Sequence, residues 1–100
     1  MKIDDVLILK DAVVDLKDGK KFYNEMNSGV GEFFWDSLIG DIESLVLYAG
    51  IHNKKNGYYR MLAKRFPYAI YYEVKDYVAY VIAVIPMRRD PAWIREKLKK

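Results

Sequence analysis

Two adjacent runs constrain the fold more tightly than anything else in the chain. In residues 68–74, Tyr68, Ile70, Tyr72 and Val74 alternate with Ala69, Tyr71 and Glu73, the two-residue period of a β-strand. Residues 77–85 are nearly all apolar. A strand of that composition is stable only at the centre of a sheet, with both faces covered. The short Lys75-Asp76 link makes the two runs antiparallel neighbours. It lacks the glycine favoured in two-residue hairpins, so its turn type stays open. The rest of the chain must therefore supply cover for a sheet.

The first half supplies it. Residues 6–9, Val-Leu-Ile-Leu, read as a short first strand. Asp11 is a candidate N-cap for a helix carrying Val13, Leu16, Phe22, Tyr23 and Met26 at near-helical spacing, with Asp15 near its positive end. Asp11, Asp15 and Asp18 together read as a solvated face. Gly19 weakens that helix by about 1 kcal/mol relative to Ala, a cost that close packing against a neighbour would explain. After Asn27-Ser28-Gly29, a second helix begins near Val30 or Gly31. Its apolar row runs Val30, Phe34, Leu38, Ile42, Leu45 and Ala49, widened by Phe33, Trp35 and Ile39. Residues 50–57 form a polar loop with the lone His52, read as solvated. A strand over 58–64 follows. Asp90-Pro91 opens a short basic C-terminal helix, with Lys97, Lys99 and Lys100 at its negative end. The expected architecture is α+β with the order β-α-α-β-β-β-α. It is one domain over residues 1–100, a helical hairpin on a mainly antiparallel four-stranded sheet.

Charge narrows the partners. The net charge is +3, but residues 1–53 carry −5 and residues 54–100 carry +8. Such segregation favours an anionic partner for one side of the molecule. There is no cysteine, hence no disulfide framework or Cys-based metal site. The Asp/Glu spacing shows no metal-ligand pattern, no glycine-rich phosphate loop or nucleophile elbow is present, and no cofactor is expected. No apolar run is long enough to span a bilayer, and the acidic N-terminus is unlike a signal peptide. A cytoplasmic protein without membrane contact is the expectation. Most of the tyrosines read as cross-strand and helix-covering groups.

Several local patterns resemble the RelE/ParE superfamily, closer to its ParE-like, plasmid-stabilization branch. They are residues 16–23, ending in a bulky-Tyr pair, Gly31-Glu32-Phe33, Tyr59-Arg60, Arg65-Phe66-Pro67-Tyr68 with Ile70-Tyr71-Tyr72, and Arg88-Arg89-Asp90-Pro91 with Trp93. The ordered combination is more specific than any one of them. The resemblance implies the toxin of a type II toxin–antitoxin system, a growth inhibitor held in check by a cognate antitoxin that presents an acidic or amphipathic segment to a basic groove.

Two mechanisms exist in that superfamily. RelE-like toxins cleave messenger RNA on the ribosome, which needs proton-transfer groups near the scissile phosphate. ParE-like toxins inhibit DNA gyrase by binding. Here Trp93 stands near the place of a terminal Tyr and cannot exchange a proton as a phenol does. Met87 stands near the place of a catalytic Arg, and no His lies in that region. The gyrase-binding reading is therefore the expectation and enzyme activity is not, with ribosome-dependent RNA cleavage as the alternative and a non-toxic nucleic-acid-binding module as a further one. The expected contact residues for target or antitoxin are Arg60, Lys64, Arg65, Arg88, Arg89 and Trp93, with no assigned catalytic residue. Arg88 and Arg89 have the strongest claim, at a strand-to-helix junction. Their competing role is a salt bridge to Asp90 or Glu73. Trp93 also reads as the residue docking the last helix on the sheet.

Overall fold

The computed structural model describes residues 2–99; Lys100, counted above at the end of the last helix, lies outside them. Strand β1 (Asp5–Ile8) leads directly into α1 (Lys10–Met26), followed by α2 (Val30–Glu43) and the single turn α3 (Leu45–Tyr48). Then come β2 (Lys54–Lys55), β3 (Tyr58–Leu62), β4 (Tyr68–Lys75), β5 (Val78–Pro86) and α4 (Pro91–Lys97). The sheet has five strands in the order β1-β5-β4-β3-β2. β1 is parallel to β5, and the other pairs are antiparallel.

The fifth strand corrects the expectation of four. β2 lies inside the polar loop and pairs with β3 through Lys54↔Tyr59 and Lys55↔Tyr58. The turn between them is Asn56-Gly57, with φ of 56° and 85°. Positive φ at both central residues is what a type I′ hairpin turn requires, and Asn-Gly is its preferred pair. The β4–β5 hairpin also differs from expectation. Its two turn residues are Asp76 and Tyr77, at φ 51° and 65°, and Lys75 pairs with Val78.

The two faces of β4 divide as the alternation requires. Tyr68, Ile70, Tyr72 and Val74 meet α1 and α2, in a core with Ala12, Leu16, Phe34, Leu38 and Ile42. Ala69 and Tyr71 meet α4 through Ile94 and Leu98, together with Tyr58, Ala83 and Ile85. Full burial of each large side chain in these layers contributes about 1.5–3 kcal/mol. β5 explains its unbroken apolar run with a bulge. Tyr71 faces Ala83 and Tyr72 faces Val81, leaving Ile82 as an extra residue. The phase change puts both Val81 and Val84 on the α1–α2 side.

Helix α1 starts two residues earlier than Asp11 as N-cap predicts, with Leu9 at the N-cap and no side-chain cap. The second apolar row breaks at Ser44 into α2 and α3. Gly19 is the close-packing position. A Cβ there would stand 2.5 Å from the Phe34 ring and 3.3 Å from Tyr68 Oη. Asp90 caps α4 as expected, accepting the Ala92 N–H at 2.9 Å with Pro91 in the first turn.

Candidate functional site: a basic cleft at the β5–α4 junction

The end of β5 and the start of α4 carry Arg88 and Arg89 past the open edge of the sheet. β1 covers β5 only over Val78–Val81. Beyond it, Val84 N–H donates to Asp15 Oδ2 at 2.9 Å, and Asp15 Oδ1 accepts from Lys97 Nζ at 2.8 Å. Asp15 thus joins α1, β5 and α4. The reading of it as part of a solvated face is corrected, because its carboxylate replaces the missing strand partner. Burial raises its pKa, against the lowering effects of Lys97 and the Val84 N–H.

Around this junction lies a cleft of about 270 Å³, with walls that include Gly19, Phe22, Tyr68, Arg88, Arg89 and Trp93. Arg88 stacks on Phe22, with its guanidinium carbon 4.9 Å from the ring centroid, and Arg89 stacks on Trp93 at 4.3 Å. Arg88 also stands near the Tyr68 phenol, where its charge favours the phenolate. Burial nevertheless pushes Tyr68 above its ordinary pKa, reinforced by Tyr23. Tyr23 is raised in the same way, by its own burial. Lys97–Asp15 is the one ion pair among the described residues. The competing role for Arg88 and Arg89, a salt bridge to Asp90 or Glu73, is therefore not what the fold contains. Each arginine leans on an aromatic face, a contact of about 0.5–1 kcal/mol at an exposed site, and forms no direct ion pair, although Asp15 and Asp18 line the same cleft.

Arg89 also borders a second cleft of about 160 Å³, on the α4 side of the sheet. Lys55, Arg60 and Arg95 line it as well, over Tyr71. Arg60 Nε donates to Tyr71 Oη at 3.2 Å. Sequence reasoning missed Lys55 and Arg95 here. Lys55 is placed by the unforeseen β2 hairpin, and Arg95 by the turn of α4.

The six expected contact residues are thus only partly brought together. Arg88, Arg89 and Trp93 share the first cleft, and Arg60 joins them through the second. Lys64 lies apart, in a groove with Asp41, Tyr48, Ile51 and Met61, and its N–H donates to Asp41 Oδ2 at 3.0 Å. Arg65 is exposed in the β3–β4 loop, outside both clefts. Trp93 is 39% exposed and forms a cleft wall; Ile94 and Leu98 dock α4 in its place.

The sequence matches no protein-family model and no curated protein. The architecture, however, is similar to a solved chain of the chromosomal ParDE TA system from P. aeruginosa. The TM-score is 0.77 at 12% identity, over 86% of this chain and 98% of that one. With its helical hairpin, its mainly antiparallel sheet and its C-terminal helix on the opposite face, this chain has a RelE/ParE-like fold.

Proposed function

We propose that this protein is the toxin of a type II toxin–antitoxin pair and that it acts by binding, with DNA gyrase as its target and an acidic antitoxin as its natural inhibitor. The observation that carries the reading is the pair Arg88 and Arg89, seated on aromatic rings with no carboxylate partner at the mouth of a cleft. Fixed cations without a direct carboxylate partner are suited to gripping an anionic surface, and together with Lys97 they outnumber the two carboxylates, Asp15 and Asp18, that line the same cleft. The fold's likeness to a ParDE chain supports the assignment.

The proton-bearing groups of the cleft favour binding over cleavage. A general base must be free and ionisable near its working pH. Tyr68 is raised above the ordinary phenol range by burial, so it stays protonated at neutral pH. Asp15 is occupied by Val84 N–H and Lys97. No helix among the described residues is long and apolar enough to cross a membrane.

The test is a supercoiling assay with purified gyrase, run with the wild type and with Arg88→Ala/Arg89→Ala. Inhibition by the wild type, lost in the double variant while the circular dichroism spectrum is unchanged, is the expected result. Codon-phased message breaks on primer extension from induced cells, with gyrase unaffected, would establish the ribonuclease alternative instead.

A further inference from the structure

The segment between α3 and β3 is held at its far end by the β2–β3 ladder, with Arg60 N–H donating to the Asn53 carbonyl at 2.9 Å, and at its near end by one phenol. Gly50 N–H donates to Tyr72 Oη at 2.9 Å, and His52 Nδ1 lies 2.5 Å from the same oxygen. Tyr72 is fully buried and His52 half-buried, and the two rings meet edge-on. A phenol has one proton to give. With a neutral imidazole that proton goes to Nδ1, the ring hydrogen sits on Nε2, and all three groups are paired. With an imidazolium, Nδ1 carries its own proton. Tyr72 Oη must then accept from both Gly50 and His52, and the buried phenol proton has no acceptor among the described residues. The three-way contact therefore fits neutral His52 alone.

The surroundings act in the same direction. Lys54 and Lys55 of β2 and Arg60 of β3 line the cleft on one side of the imidazole. Lys64, Asp41 and Tyr48 line the groove on the other. Tyr59 stacks on Tyr72 and carries the Lys54 ammonium over its own face. Four cations stand against one carboxylate, and that carboxylate already accepts the Lys64 N–H. Burial of the ring holds His52 below its ordinary pKa.

We propose that His52, Tyr72 and Gly50 form a proton-sensitive latch, which in its neutral state fixes residues 50–52 against the sheet, ahead of the β2–β3 ladder that holds Lys54 and Lys55. Protonation removes the Nδ1 acceptor and frees residues 50–52 from Tyr72. The stabilisation is fully present above the ordinary histidine pKa of about 6.5. It is lost as the pH falls through the lower value of the folded state. The latch is separate from the Arg88–Arg89 cleft and stands whether or not the protein is a toxin.

The single histidine makes the test direct. NMR titration of the full chain follows the His52 ring and the Gly50 amide protection factor. The expected midpoint lies below the ordinary value of about 6.5, and across it Gly50 protection falls roughly tenfold as the local opening equilibrium shifts. Tyr72→Phe should return the midpoint toward the ordinary value and deprotect Gly50 at every pH. His52→Gln, which retains an acceptor but does not titrate, should keep Gly50 protected from about pH 5 to 8, the range over which histidine changes charge. It also serves if Tyr72→Phe fails to fold. Protection that stays flat through the His52 titration would overturn the latch, as would a pH-dependent loss that persists in His52→Gln.

Discussion

At the scale of single residues, Gly19 and Asp15 show how one atom's room or charge is fixed by a distant element. Gly19 sits mid-helix, where Ala is intrinsically better by about 1 kcal/mol. The Phe34 ring fills the place a Cβ would take, with Tyr68 Oη behind it. Gly19→Ala is expected to destabilise by about 1–3 kcal/mol, the usual cost of overpacking, as read by urea denaturation. The ionisation of Asp15 carries a pH signature. Its folded-state pKa is raised from 3.8, first by burial. Its contribution to stability is thus fully present below 3.8 and is lost as the pH rises through the folded value. Asp15→Asn has no such loss, so its stability relative to wild type should improve across that window in denaturation curves taken at successive pH values. A relative stability that worsens over the same range would contradict the assignment.

At the scale of elements, the strands were the most legible part of the sequence, since the alternation of residues 68–74 sorts them between the two layers as observed. The turns were less so, for a physical reason. Asn56-Gly57 is a strong hairpin signal, but its outer arm, Lys54–Lys55, is two charged residues with no apolar pattern. Asp76-Tyr77 carries no signal at all, because Tyr is a residue that rarely adopts positive φ. The pairing of β4 with β5, eight residues long, imposes that conformation. Left-handed backbone costs an L-residue roughly 1–2 kcal/mol, and the Tyr77 side chain is 64% exposed, with little packing to lose. Tyr77→Gly is therefore expected to raise stability by about 1 kcal/mol, seen as a higher midpoint in thermal or urea unfolding. The break at Ser44 was hidden because the apolar row continues through it at helical spacing.

At the scale of the whole molecule, the segregation of charge along the sequence was legible and its arrangement in space was not. Arg60, Lys64 and Arg65 are near neighbours in sequence. Yet the chain leaves the strand at Leu62, so the two-residue alternation no longer governs where Lys64 and Arg65 point. Arg60 lies over Tyr71 on the α4 side, whereas Lys64 lies in the groove beside Asp41. Arg88 and Arg89 gain their setting from Phe22 and Trp93, contacts that no spacing rule reveals. The arrangement divides the six candidate residues into testable groups. Binding of the proposed target should weaken steeply with added salt, and Arg88→Ala should flatten that dependence by removing one screened contact. Lys64→Ala should leave the salt dependence unchanged, because Lys64 belongs to another groove.

The parallel pairing of β1 with β5 has a consequence for how this protein comes into being. Of the five strands, the first to leave a ribosome finds its seat only beside the last of them, residues 78–86. Until that far segment emerges, Val6 and Ile8 lack the neighbour they are packed against. The arginine-bearing junction is translated later still. Translation must therefore pass residue 89 before β1 can take its place in the sheet and the arginine-bearing junction can be assembled beside it.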